Sequence, residues 1–245
     1  MKIRVKQVLL KSAVFYKENF KHLAGLSFAI FAILAFIEVG TYVFDLLEEN
    51  PIWADLFELA ELSLIILVFF LVILVIAILP KLYLTMIILI NSLLSKSKIT
   101  LGEAYRQTKG KYWLTVRCFL IVWLPLILIE VFSTRTALIC EIFIIPYFYV
   151  LFPLIAIEPR KKYYLRRSFK MIEGNYPAAL LLNLLTSTLW MAIYDALTSF
   201  YQGKSTGLLI LRVGYAFLCF FILPIAITTT VIVYKQLNSG VSSDF

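Results

Sequence analysis

Six stretches of about 20 or more mainly apolar residues, separated by short charged segments, constrain this chain more than any other feature. They run roughly over His22–Phe44, Leu62–Asn91, Tyr112–Phe132, Ala137–Ile157, Pro177–Leu197 and Gly207–Tyr234. A helix needs about 20 such residues to cross the hydrocarbon of a bilayer, where every backbone polar group must be bonded within the segment. Composition agrees, since 62% of the 245 residues are hydrophobic and 16% charged. A soluble domain is nearer 45–50% apolar and about 25% charged. The pattern predicts an all-α, polytopic integral membrane protein forming one domain over 1–245, and excludes a secreted or cytosolic enzyme. The second and last stretches are too long for one straight span. Pro80 and Pro224 lie inside them, so a kink, a tilt or a projection beyond the bilayer is expected.

The basic residues set the orientation. Lys2, Arg4, Lys6, Lys11, Lys17 and Lys21 precede the first stretch, six more fall within 91–117, and Arg160, Lys161, Lys162, Arg166, Arg167 and Lys170 precede the fifth. With Lys235 they make 19 of the 23 lysines and arginines. Between the first and second stretches stand Asp45, Glu48, Glu49, Asp55, Glu58 and Glu61, with no base. Cytoplasmic loops carry the excess of lysine and arginine, so both termini are expected inside. The bands also account for the sequence pI near 9.3 without nucleic acid as a partner. The first stretch, about 23 residues long and without an A-x-A site, reads as an uncleaved span, because a signal h-region has about 7–15.

Each odd-numbered span follows a basic segment of one spacing. Leu9, Ala13, Tyr16 and Phe20 recur as Leu101, Tyr105, Thr108 and Tyr112, and again as Leu165, Phe169, Ile172 and Tyr176. The intervals i, i+4, i+7, i+11 mark one face of a helix. The expected fold is thus three repeated hairpins (units about 1–91, 97–157 and 160–234, with a tail 235–245), each led by a short interfacial amphipathic helix. Thr100 and Glu103 match a capping box. Gly110 and Gly174, just before two of the spans, suit a left-handed helix end.

The stretch Pro153-Leu-Ile-Ala-Ile-Glu158, then Leu165-Arg-Arg-Ser-Phe169 and Gly174-Asn-Tyr176, resembles a signature of bacterial six-span proteins. These are the glycerophosphoryl diester phosphodiesterase membrane-domain proteins and their YciC-like relatives. Glu103-Ala-Tyr105 to Gly110-Lys-Tyr112 is similar to their preceding repeat. The resemblance implies six spans and a bacterial cell membrane. The phosphodiesterase domain fused to some members has no room here, so that activity is not carried over.

Catalytic constellations are not found: there is no HExxH, GxSxG, P-loop or GxGxxG before a helix. Ser95, Ser97 and Ser168 lack an activating histidine or carboxylate nearby in sequence. Cys118, Cys140 and Cys219 lie in apolar runs without CxxC spacing, and His22 is the one histidine. No metal site and no cofactor is expected. Ionisable residues near span ends form two candidate groups. On the outer side are Glu38, Glu130, Asp195, Arg212, Glu141 and Arg135. Counted from Phe20, Tyr112 and Tyr176, the acids Glu38, Glu130 and Asp195 each lie about 27 Å up a helix, so they meet in the bundle or reach the outer headgroups separately. On the inner side, Glu158, Arg166, Arg167, Lys170, Arg106 and Lys109 are candidates for binding headgroups. For Glu158 the alternative is a local ion pair that fixes the next helix. For the basic faces the alternative is topology alone.

The expected function is binding or moving a lipid or small amphiphile, with anionic lipids of the cytoplasmic leaflet as partners. The alternative is a non-transporting membrane scaffold, assembly factor or self-protection factor. An intramembrane enzyme using scattered carboxylates ranks below both. Protein partners and oligomeric state are not legible.

Overall fold

In the computed structural model the backbone is helical throughout, with no strand among the described residues. The structure describes residues 2–48, 77–97, 99–132, 134–158, 163–188, 193 and 206–241, although not every side chain within those ranges. The helices are α1 (Val5–Glu48), α2 (Ala77–Leu94), α3 (Leu101–Gln107), α4 (Tyr112–Phe132), α5 (Thr134–Ile144), α6 (Leu151–Ile157), α7 (Tyr164–Glu173), α8 (Tyr176–Asn183) and α9 (Thr206–Val241). Three are long and apolar enough over described residues to cross a membrane, at Val5–Phe36, Ala77–Leu94 and Leu209–Ser239. They mark the chain as a membrane protein. Large apolar side chains stand exposed along them, among them Phe28, Phe36, Ile210 and Phe217. Such faces are costly in water and ordinary against lipid.

The packed core lies at one end of the bundle, here called basal, where α1 begins and α2 and α9 finish. α2 is its axis: all seven residues from Leu84 to Ile90 are buried, so this turn-and-a-half and more has no open face. A helix apolar all round is one enclosed by other helices. Around it stand Phe15, Tyr16, Leu23 and Leu26 of α1, Ala104 of α3, Ala156 of α6, and Ile227 and Val231 of α9. A second cluster joins Val8 of α1, Leu151 and Ile155 of α6, Ile172 of α7, Leu182 of α8 and Val233 of α9. The last turns of α9 therefore serve both clusters.

Several sequence expectations change. The first basic segment is not a separate interfacial helix, because α1 runs unbroken from Val5 through Glu48. Residues 5–24 hold no proline or glycine, and nothing else in them stops a helix. The fourth span is not one helix. It divides into α5, a 3-10 turn at Ile145–Phe148, and α6. Pro146 sits in that turn and lacks the N–H that would continue the ladder. Two carbonyls at the break find side-chain donors: Ser168 bonds Tyr147 O at 3.0 Å and Tyr176 bonds Phe143 O at 3.0 Å.

The fifth span begins as α8 and loosens into a π-turn at Leu184–Thr188. Neither glycine is left-handed, since no described glycine has positive φ and Gly174 has φ −79°. Asn175 N–H instead closes a tight turn onto Ile172 O at 2.7 Å. By contrast α4 spans Tyr112–Phe132 as expected, running through Pro125, and α9 runs through Pro224. The capping box is formed: Thr100 accepts from Glu103 N–H, and Glu103 accepts from Thr100 N–H at 2.7 Å.

The buried faces of the basic segments match the expected ones in part, since Tyr16, Thr108 and Ile172 are buried as expected. Ala13, Leu101, Tyr105 and Phe169 are exposed. Ser12, Ala104 and Ser168, each eight residues before Phe20, Tyr112 and Tyr176, are fully buried. The segments meet their neighbours through small side chains, and small residues let helix backbones approach closely.

Candidate functional site

Among the described residues the densest polar arrangement lies at the basal end, around Glu158. This residue caps the end of α6 in extended conformation, φ −80° and ψ 149°, which turns its side chain out of the helical path. Its carboxylate is buried yet fully engaged. Arg167 of α7 donates from Nη1 to Oε2 at 2.6 Å, and Tyr234 of α9 donates from Oη to Oε1 at 3.0 Å. The second arm of Arg167 donates to Asn238 Oδ1 at 3.3 Å, one turn beyond Tyr234. A buried charge is tolerated where it is paired and its remaining lone pairs are filled. Here Glu158 at the end of α6 is met by Arg167 of α7, and α9 supplies both Tyr234 and Asn238.

α9 is tied to the rest of the basal end by neighbouring residues. Thr229 reaches Ser12 of α1 at 3.0 Å, and Lys235 reaches Ser95 Oγ at 2.7 Å beyond the end of α2. Asn175 in the α7–α8 turn accepts the Ile3 N–H at 2.9 Å, binding the chain start to its last third. Lys111 donates to Ala156 O, joining the foot of α4 to α6. Burial holds the Lys111 ammonium below the usual lysine range.

The inner-side candidates divide into two kinds. Glu158 and Arg167 face inward and bond each other. Arg166 and Lys170 on α7, Arg106 on α3 and Lys109 just beyond it are exposed. The exposed four form the charged edge of the basal end, and the pair is a clamp between helices.

Of the outer-side candidates, Arg212 is described on α9, half-buried. The side chains of Glu38, Glu130, Arg135 and Glu141, and the whole of Asp195, lie outside the described residues. So does the expected meeting of the three acids. Among the described residues no three of His, Cys, Asp and Glu gather as a metal set would.

Sequence reading missed Tyr234, Asn238, Ser12 and Asn175 as partners. A signal was present, because Tyr234, Lys235 and Asn238 recur every few residues where the last apolar run ends. The residues that carried the family resemblance have structural tasks: Glu158 and Arg167 pair, Ser168 and Tyr176 heal the Pro146 break, and Asn175 holds Ile3.

A second feature lies beside α2. Lys81 stands over the Tyr105 ring at 4.1 Å, and this pair lines an open cleft of about 630 Å³ together with Tyr112 and Trp113 of α4. Trp113 is 70% exposed, which is high for so large an aromatic. No family model, curated protein or solved structure matches the chain.

Proposed function

We propose that the chain is a six-span protein of the bacterial cell membrane, with both termini in the cytoplasm, that binds or moves a lipid or small amphiphile. The basal end is then the cytoplasmic end. One observation carries the reading: exposed cations and exposed large aromatics share this end. Arg106, Lys109, Arg166 and Lys170 lie on the surface there, with Trp113 and Tyr163 exposed alongside. Lysine and arginine at a cytoplasmic surface are drawn to anionic headgroups, and tryptophan and tyrosine settle at the headgroup level.

The six spans and three repeated hairpins belong to this proposal. They draw support from the matching bounds of α4 and from the buried small residues at Ser12, Ala104 and Ser168. The resemblance to the phosphodiesterase membrane-domain proteins is part of it too. The test is the lipid composition of the gently purified full-length protein against that of the membrane it came from. Enrichment of anionic lipid is expected. A composition equal to the bulk membrane would overturn lipid binding and favour a scaffold that acts through protein partners.

A further inference from the structure

In the third unit, Phe169 and Tyr176 stand seven residues apart with the Tyr147 ring between them. Tyr147 stacks on Phe169 at 4.4 Å and 10°, and on Tyr176 at 4.5 Å and 29°. That space is filled by protein. In the second unit Tyr105 and Tyr112 have the same separation. The side chain that arrives there from the preceding helix is Lys81, set over the Tyr105 ring at 4.1 Å. The space beside it stays open as the cleft of about 630 Å³. Sites for small ligands fall within about 300–1,000 Å³.

The cleft has a polarity. Among the described residues Lys81 and Lys109 are its cations, and none of those lining it is a carboxylate. The rest of the lining from α2 is apolar, with Ala77, Ile78 and Leu82, and α4 adds Trp113. Anion-binding groups at one side and an apolar groove at the other fit a molecule with an anionic head and a hydrocarbon chain. Lys81 is held against Tyr105 of α3, the helix that Lys109 follows.

Resting on the lipid-binding reading above, we infer that this cleft between α2, α3 and α4 seats one anionic phospholipid. Its phosphate lies with Lys81 and Lys109, and an acyl chain runs along Ile78 against Trp113. The cation–π contact holds Lys81 aimed across the cleft, since an ammonium over an aromatic face is attracted by the ring.

The test uses the full-length protein in nanodiscs of phosphatidylcholine containing a diazirine-labelled phosphatidylglycerol. Illumination should label peptides carrying residues 77–82 and 105–113, and unlabelled phosphatidylglycerol should compete where phosphatidylcholine does not. The variant pair Lys81→Gln and Lys109→Gln should reduce that labelling on the order of tenfold, as loss of two surface cations implies. Lys81→Arg with Lys109→Arg should retain it. Labelling of wild-type protein confined to other segments would overturn the inference, even if the glutamine pair failed to fold. Retained labelling in a folded glutamine pair would overturn it as well. If anionic lipid is enriched in the purified protein but this cleft is not labelled, the site fails and the lipid-binding reading stands. If no anionic lipid is enriched, both fail.

Discussion

Thr229 donates a 3.0 Å hydrogen bond to the hydroxyl of Ser12, joining the first and last helices across 217 residues of chain. Ser12 in turn donates a hydrogen bond to Val8 O at 2.8 Å. Both side chains are fully buried, so the contact is a close approach of α1 and α9 and not a surface bridge. It fixes the helix that carries Tyr234 and Asn238 against the helix that carries the basic N-terminal segment.

Size at Ser12 should matter more than the hydroxyl. Ser12→Ala leaves Thr229 bonded to Ile225 O at 2.7 Å, so a loss below about 1 kcal/mol is expected. Ser12→Leu forces the helices apart and should cost about 1–3 kcal/mol, as overpacking does. The leucine change at Ala104 or Ser168 should act alike, because both are equally enclosed. Unfolding of the detergent-solubilised variants reads the order directly. Equal melting of Ser12→Leu and wild type would contradict the close contact.

Glu158→Gln removes the charge that Arg167 faces and should destabilise by roughly 2–3 kcal/mol. That is less than the 3–5 of a fully enclosed pair, because the Arg167 side chain keeps 29% of its exposure. Tyr234→Phe removes one neutral donor and should cost about 1.5 kcal/mol or more, since its acceptor is charged. A double-mutant cycle of Glu158 with Arg167 should show clear coupling, whereas Glu158 with the exposed neighbour Arg166 should show little. Additive effects at Glu158 and Arg167 would contradict the clamp.

The α3 helix should be acid-sensitive. Bonds from the Thr100 backbone and hydroxyl, with Arg106 nearby, hold the Glu103 carboxyl below its ordinary value. A depressed carboxyl stabilises the fold above its unfolded value, and that contribution is lost as pH falls through the lowered one. Amide protection across 101–107, compared with a Glu103→Gln variant, should therefore converge on the variant's in acid and exceed it at neutral pH. The same difference at every pH would contradict the cap.

How much of this was legible follows from which interactions are local. The Thr100 and Glu103 box lies within four residues and reads directly from the chain, as do the ends of α4. Each basic segment buries one expected residue, Tyr16, Thr108 or Ile172, but Ser12, Ala104 and Ser168 are buried where Ala13, Tyr105 and Phe169 score as more apolar or larger. Helix contact rewards small side chains that hydropathy ignores. The break at Pro146 could not be read from sequence, since proline also sits inside the unbroken α4 and α9. What decides the difference is whether donors such as Ser168 and Tyr176 come from elsewhere to meet the freed carbonyls. The Glu158 clamp was half visible: Arg167 lies nine residues away, but Tyr234 lies 76 away.

Topology is open to reporter fusions. A reporter after Asn50 should show the non-cytoplasmic phenotype, and reporters after Lys98 and Lys162 the cytoplasmic one, because basic segments stay inside. A reversed phenotype at any of the three would contradict the six-span arrangement with inner termini.

The most direct measurement is thermal unfolding of the full-length protein in nanodiscs of phosphatidylcholine alone and with phosphatidylglycerol added. A ligand that binds the folded protein and not the unfolded chain raises its melting temperature. The expected result is a higher melting temperature with phosphatidylglycerol, shrinking as salt screens the exposed lysines and arginines. Identical melting in both lipids at low salt would contradict an anionic-lipid-binding membrane protein.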